Sequence, residues 1–225
     1  MLQTIFYSWL PRPAKLPFLF WNYILSGNSE RELWHLKRIV TNVAGTAIDV
    51  GANEGYYTYV MSKMFARVIS FEINPEVTDS IESYHRRNIT LYNFGLSDTS
   101  GEARLYIPVL RGIPLKGWAS LRLGNCPDTK DHIEKTVLVR TLDGLNIADV
   151  VFIKIDVEGH EYAVLKGAEE TINRYRPLLL IEIKRENERK VFEYLVTKNY
   201  MPKRLQEIIG VPGSEENMFF VPHNY

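Results

Sequence analysis

Two stretches of the 225-residue chain carry side chains whose types and spacing suit chemistry. The first is Ala47-Ile48-Asp49-Val50-Gly51-Ala52-Asn53-Glu54-Gly55, an apolar run that ends in glycines and opens a helical pattern. About twenty residues after Gly51 comes Glu72, in Phe71-Glu72-Ile73-Asn74-Pro75, the position from which a strand-end carboxylate reaches a ribose. In an open parallel sheet, ligands sit beyond the carboxyl ends of the strands, and glycine lets the backbone approach them. Taken singly, the glycines make an ordinary tight turn and Glu72 a solvated strand end. Together, at this spacing, they describe a nucleoside pocket.

What the loop lacks narrows the nucleoside. A dinucleotide site needs G-x-G-x-x-G to rest a pyrophosphate on a helix N-terminus, and Asn53 stands where its second glycine belongs. No lysine follows Gly55, so there is no triphosphate loop. A ligand with a ribose, no phosphate and an amino-acid moiety suits the acidic entrance of Asp49 and Glu54. S-adenosylmethionine is that ligand, with Asp49 serving its ammonium group directly or through water. At the next strand end, Gly95-Leu96-Ser97-Asp98, Leu96 can cover the adenine while Ser97 or Asp98 reaches its exocyclic amine; the plain alternative is a polar turn.

The second stretch is Val151-Phe152-Ile153-Lys154-Ile155-Asp156-Val157-Glu158-Gly159-His160-Glu161, followed by Val164-Leu165-Lys166-Gly167-Ala168. With Phe71–Pro75, Leu96-Ser97-Asp98, Gly101-Glu102, Ala119-Ser120-Leu121, Thr141-Leu142-Asp143 and Pro177–Glu182 in that order, the chain from Ala47 to Ile183 resembles the FkbM family of S-adenosylmethionine-dependent methyltransferases. The resemblance implies a seven-stranded, Rossmann-like class I methyltransferase domain and methyl transfer to a hydroxyl oxygen, often of a sugar or a polyketide-derived molecule. Ile73, where family members often have proline, departs from the pattern beside the ribose carboxylate, and it counts with Gly51, Asn53, Gly55 and Glu72 among the expected cofactor contacts.

Methyl transfer from a sulfonium is an in-line displacement, so a protein must align the acceptor oxygen and remove its proton. Asp156 and Glu158 alternate with apolar residues, which on an extended backbone puts both carboxylates on one side. Asp156 is the first candidate base or acceptor-orienting group, Glu158 the second and His160 the third. Helix N-terminal capping is the competing role for these acids and the expected one for Glu161. Asp156, Glu158 and Glu182 also offer oxygens to a divalent cation, although no metal is expected. Glu182 and Lys184 should border the acceptor pocket. Trp118 and Ser120 should meet the acceptor, the indole as a face for a sugar's C–H surface.

These residues need an α/β frame to position them. Short apolar runs alternate with amphipathic stretches, the mark of parallel strands joined by crossover helices. The pattern predicts strands at Thr46–Val50, Arg67–Glu72, Thr90–Gly95, Val150–Asp156 and Leu178–Ile183, and helices at Tyr56–Phe65, Glu76–Arg87, Tyr162–Tyr175 and Glu188–Lys198. Pro202–Ile209 and Asn217–Pro222 read as a closing antiparallel hairpin, turning at Gly210, Pro212 and Gly213. Residues 101–140 lack the helical period and read as an inserted hairpin and loop. Residues 1–45 form a separate helical extension or lid ahead of a methyltransferase domain at 46–225, with polar residues from Asn28 leading a helix through Leu33, Trp34, Leu36, Ile39 and Val40.

Composition sets the outer bounds. Lys+Arg and Asp+Glu number 27 each, which leaves no basic face for nucleic acid; the partner expected is a small-molecule or glycan acceptor. One cysteine, Cys126, cannot make an internal disulfide and suits a reducing, cytoplasmic setting. Met1–Leu25 is rich in apolar and aromatic residues, including Ile5, Phe6, Trp9 and Trp21, but Pro11, Arg12, Pro13, Lys15 and Pro17 interrupt it well short of the about 20 residues that cross a bilayer. Packing over the domain or its cleft is the first reading of this segment, and shallow membrane-surface contact the second. The oligomeric state stays open. Two other classes remain to be weighed, a nicotinamide-dependent oxidoreductase and a non-catalytic nucleoside-binding module.

Overall fold

A computed structural model of the chain describes residues 7, 9–27, 29–124, 126 and 129–223. Ile5, Phe6 and Asn28, which figure in the expectations above, lie outside them. In chain order the elements are α1 (Lys15–Leu25), α2 (Arg31–Ile39), β1 (Thr46–Val50), α3 (Tyr56–Met61), β2 (Arg67–Phe71), α4 (Asp79–Tyr84), β3 (Ile89–Tyr92), β4 (Gly95–Leu96), β5 (Gly101–Leu110), β6 (Ile113–Pro114) and β7 (His132–Arg140). They continue with β8 (Val150–Ile155), α5 (Glu161–Lys166), α6 (Glu169–Tyr175), β9 (Leu178–Glu182), α7 (Glu188–Thr197), β10 (Tyr200–Lys203), α8 (Leu205–Ile209) and β11 (Asn217–Pro222).

The main sheet has the order β10-β11-β9-β8-β1-β2-β3. Strands β3, β2, β1, β8 and β9 run parallel, and β11 is antiparallel to both β9 and β10. This is the mostly parallel, seven-stranded class I arrangement expected. The chain winds outward from β1 to β3 and returns on the other side of β1 as β8, so a crevice opens beyond the carboxyl ends of β1 and β8. Strands β1, β8 and β9 are near-continuous apolar runs because both faces of the sheet are covered. Ile48, Val50, Ile153, Ile155 and Ile181 pack against Val164, Leu165, Ile172 and Leu195 of α5, α6 and α7. Ala47, Phe152, Leu178, Leu180 and Phe219 pack on the opposite face with Leu16, Phe20 and Ile24 of α1, Leu33 and Leu36 of α2, and Tyr57 and Met61 of α3. The extension is thus built into the second core layer. A second, four-stranded sheet has the order β4-β7-β5-β6, and its strands β5, β6 and β7 fall within residues 101–140.

Several local expectations give way. Pro202–Ile209 is not a strand: β10 ends at Lys203 and α8 follows, its start fixed by the Arg204 N–H donating to Glu207 Oε2 at 2.6 Å and its inner face by buried Leu205. Pro202 is tolerated because β10 is an edge strand. The long helix expected over 162–175 breaks into α5 and α6, where Gly167 presses its backbone against the carbonyl of Ser97. The strand expected over 90–95 is two strands in two sheets, β3 and β4. Asp156 and Glu158 do not share an extended backbone either. Strand β8 stops at Ile155, and the chain turns through Glu158 at φ 51° and Gly159 at φ 98°.

Candidate active site

At the switch point between β1 and β8, Gly51 carries the chain out of the sheet at φ 79°. A Cβ there would overlap the carbonyl oxygen of Asp156 and lie 2.8 Å from its carbonyl carbon, so only glycine lets the two strand ends meet. The last carbonyl of β2 ties the loop down, accepting the Gly51 N–H at 2.9 Å and the Ala52 N–H at 3.0 Å. Beside it, Glu72 is 7% exposed, and each of its oxygens accepts one backbone N–H, from Asn53 at 2.7 Å and from Asn74 at 2.8 Å. Burial pushes the Glu72 carboxyl up, and these two bonds pull it back.

A narrow cleft with a volume of about 50 Å³ opens above it. Its walls include Gly51, Asn53, Glu72, Ile73, Leu96, Ser120, Asp156, Glu158 and His160, so these nine of the expected site residues come together. Its roof is the stretch Lys116–Leu121 of the insertion, less Trp118. Amide side chains of the loops after β1 and β2 hold that roof: Asn74 Nδ2 donates to the Lys116 carbonyl at 3.1 Å, and Asn53 Nδ2 to the Gly117 carbonyl at 3.4 Å. Glu76 pairs with both Lys116, at 2.8 Å, and Lys135, which draws its carboxyl down to about 2.

At the β8 end, Asp156, Glu158 and Glu182 each bring a carboxylate oxygen within 4.8 Å of the other two. Two lysines compensate them. Lys154, 1% exposed, points from β8 into the layer below, its Nζ 3.8 Å from Asp156 Oδ2. Lys184 Nζ lies 3.2 Å from Glu158, 2.8 Å from Glu182 and 2.9 Å from Glu216. Withdrawal from water raises the Asp156 carboxyl well above the usual range, with Lys154 pulling against it and Glu182 and Glu158 adding to it. Burial likewise raises Glu158, whereas in Glu182 the pull of Lys154 and Lys184 overcomes burial and lowers it. Glu161 holds this turn from beneath. Wholly buried, it accepts the Gly159 N–H at 2.6 Å and Asn187 Nδ2 at 2.6 Å, while Asn187 also reaches the Gly159 carbonyl at 2.7 Å. That bracing exceeds the capping role the sequence suggested.

His160 Nε2 shares a 2.9 Å hydrogen bond with Ser97 Oγ, and burial lowers its pKa, favouring the neutral ring. Ser97 also donates to Asp98 at 3.1 Å; neither Ser97 nor Asp98 lines the cleft. Ser120 Oγ donates to the Glu158 carbonyl at 2.6 Å and so ties roof to acidic turn.

Five other expected residues lie elsewhere. Asp49 is 1% exposed, its carboxylate turned to Thr58 Oγ1 at 2.6 Å rather than to the cleft. The reason is parity: Asp49 pairs in register with Ser70 and Lys154 on the face covered by α3, one residue short of the strand end. Burial raises its pKa to about 6. Gly55 opens α3 at φ 91° against Ile81. Trp118 borders a separate groove with Phe18, Leu19 and Leu115. Glu182 and Lys184 join the acidic cluster but not the cleft wall. Conversely, Lys154, Asn74, Lys116 and Asn187 were not singled out by sequence reasoning. Of these only Lys154 carried a signal, a charge inside an otherwise apolar strand.

Among solved structures, an FkbM methyltransferase from Methylobacillus flagellatus KT is similar at 18% identity and a TM-score of 0.55, over 79% of this chain and 43% of that one. This chain therefore spans less than half of that relative. A SAM-dependent methyltransferase from Aquifex aeolicus is similar at 16% identity and a TM-score of 0.46, over 92% of this chain and 96% of that one. The first of these likenesses speaks to the fold alone. No curated protein matches the sequence significantly. A family model, the methyltransferase FkbM domain, matches residues 49–208. Those residues hold the loops after β1 and β2, the roof and the acidic turn alike, and the chain belongs to the FkbM family of methyltransferases, whose cofactor is S-adenosylmethionine.

Proposed function

We propose that the protein is an O-methyltransferase that moves the methyl group of S-adenosylmethionine to a hydroxyl of a small molecule, a sugar of a glycan or glycoconjugate by preference. The observation that carries this reading is Asp156: it lines the cleft, keeps 30% of its side chain open to solvent, and has its carboxyl raised by its surroundings, which makes it a stronger proton acceptor than a free carboxylate.

The donor set suits the cofactor. Each Glu72 oxygen spends one acceptor site on a backbone N–H and retains another for a ribose hydroxyl. Ile73 and Leu96 offer apolar flanks for an adenine, and Gly51 leaves bare backbone at the floor. When bound, the cofactor supplies an electrophilic methyl group on a sulfonium. Asp156 takes the proton of the acceptor hydroxyl as the new O–C bond forms, and Lys154 beneath it stabilises the ionised carboxylate needed beforehand. Glu158, held by Lys184, orients the acceptor, and neutral His160, held by Ser97, is the second proton acceptor. Lys184 already supplies positive charge to the Glu158–Glu182 pair, so the proposal needs no metal. Residues 46–225 form the catalytic unit and 1–45 the extension, in a cytoplasmic protein with no role for nucleic acid.

The test is Asp156→Asn, assayed with labelled methyl donor against a panel of glycans and by titration with S-adenosylhomocysteine. Turnover should fall by about 10²–10⁴, the usual worth of a general base, with affinity for S-adenosylhomocysteine retained. Unchanged turnover removes Asp156 from the mechanism, and wild-type protein that methylates amines or carbons but no hydroxyl overturns the O-methyl reading.

A further inference from the structure

All four tryptophans of the chain are exposed, although indole is normally among the most buried side chains. Three stand on the extension: Trp9 at 84%, Trp21 at 53% and Trp34 at 53%, joined by Leu25 at 81%. Trp21 and Leu25 lie one helical turn apart on α1, and Trp34 shares the outer face of α2 with Arg31, Lys37 and Arg38. Helices α1 and α2 bury their other faces in one core layer, and Trp21, Leu25 and Trp34 stand on the sides turned away from it. The fourth, Trp118, borders the groove that Phe18 and Leu19 of α1 complete, which extends the aromatic edge.

Charge on the outer faces of α1 and α2 is one-sided in a protein that is neutral overall. Arg12, Arg31, Lys37 and Arg38 are exposed. The acids of the extension turn inward: Glu30 accepts the Tyr57 hydroxyl and Asn217 Nδ2, and Glu32 is wholly buried. Lys15 neutralises neighbouring Asp79. No helix among the described residues is long and apolar enough to cross a membrane. Tryptophan favours the headgroup level, where one edge of the ring is wet and the other dry, and arginine and lysine add attraction to anionic lipid.

We infer that the outer face of α1 and α2, together with the segment that leads into α1, is a docking surface for an anionic lipid bilayer, with Trp21, Leu25 and Trp34 of the helices and Trp9 of that segment entering the interface and Arg31, Lys37, Arg38 and Arg12 meeting the headgroups. The inference stands independently of the reaction proposed above.

The full chain is mixed with vesicles of phosphatidylglycerol in phosphatidylcholine, or of phosphatidylcholine alone, and followed by sedimentation and tryptophan emission. Binding and a blue shift are expected on the anionic vesicles, declining as salt is added. The triple variant Arg31→Gln, Lys37→Gln, Arg38→Gln should lose about five-fold in partitioning for each charge removed. Trp21→Ser with Leu25→Ser should lose binding with an unchanged far-ultraviolet spectrum; should that pair fail to fold, the charge variant decides alone. Equal binding to neutral vesicles, no binding, or no response to the charge variant overturns the inference. So does a protein dimer, seen by sedimentation velocity, that Trp21→Ser with Leu25→Ser dissolves, since a second copy would then own the face.

Discussion

Substituting Gly51 by alanine tests the claim that the switch point is built on backbone contact, and a second glycine supplies the control. Gly112, in the turn between β5 and β6, has the same φ of 79° but no atom within 4 Å of an added Cβ. Gly112→Ala therefore isolates the cost of holding an L-residue at positive φ, about 1–2 kcal/mol. Gly51→Ala adds a collision. Its Cβ would sit 2.8 Å from the carbonyl carbon of Asp156, roughly 0.7 Å or more inside ordinary carbon contact. Neither side yields easily, because Gly51 is bonded to Phe71 and the Asp156 N–H to the Val50 carbonyl at 2.9 Å. Overpacking of this kind costs about 1–3 kcal/mol, for a total of about 2–5. At about 2–4 °C per kcal/mol in a chain of this size, the melting midpoint should drop by roughly 4–20 °C for Gly51→Ala and roughly 2–8 °C for Gly112→Ala. The loop also carries the Asn53 N–H that orients Glu72, so titration calorimetry should show weakened S-adenosylhomocysteine binding in the first variant only. Equal midpoints in the two variants, with wild-type binding in both, would refute the argument.

Glu72→Gln replaces an oxygen that accepts a backbone N–H by an amide that opposes one; with a charge-assisted bond to ribose also lost, S-adenosylhomocysteine affinity should fall by roughly ten- to a hundred-fold in calorimetry. Asp49 has a folded pKa of about 6 against about 3.9 unfolded, so its stabilising form is the protonated one, fully present below about pH 4 and lost as pH rises through 6. Asp49→Asn keeps an acceptor for Thr58 and removes that loss. Its stability relative to wild type should rise by about 3 kcal/mol between pH 4 and pH 8, measured by denaturant melts, and a flat difference would show that Asp49 does not titrate in this range.

Periodicity and residue type made much of the frame legible. The apolar runs of β1, β2, β8 and β9 and the glycine turn at Gly51 follow from local sequence, because strands buried on both faces have little alternative to being apolar. Capping and edge effects are weaker signals. They misled at Pro202–Ile209, where the Arg204–Glu207 contact and the edge position of β10 favour a helix after a short strand. Type, spacing and family resemblance singled out Glu72, Asp156 and Glu158, and all three line one cleft, although the backbone that carries Asp156 and Glu158 is a turn with positive φ rather than an extended strand.

By itself, then, the sequence determined the parallel sheet, the glycine turn after β1, the carboxylate Glu72 at the end of β2 and the acidic turn beyond Ile155, since each rests on residues close together in the chain. Only the tertiary structure decided which of these side chains share a cavity. Register put Asp49 beside Lys154 and Ser70, beneath the cleft rather than in it; the fold of residues 101–140 brought Lys116 and Gly117 over the loops after β1 and β2 as a roof; and the packing of α1 and α2 on one core layer turned their tryptophans away from it. The physical reason is common to all three. Side-chain periodicity says that a residue leaves one face of its own element, while what lies across that face is set by elements far away in sequence.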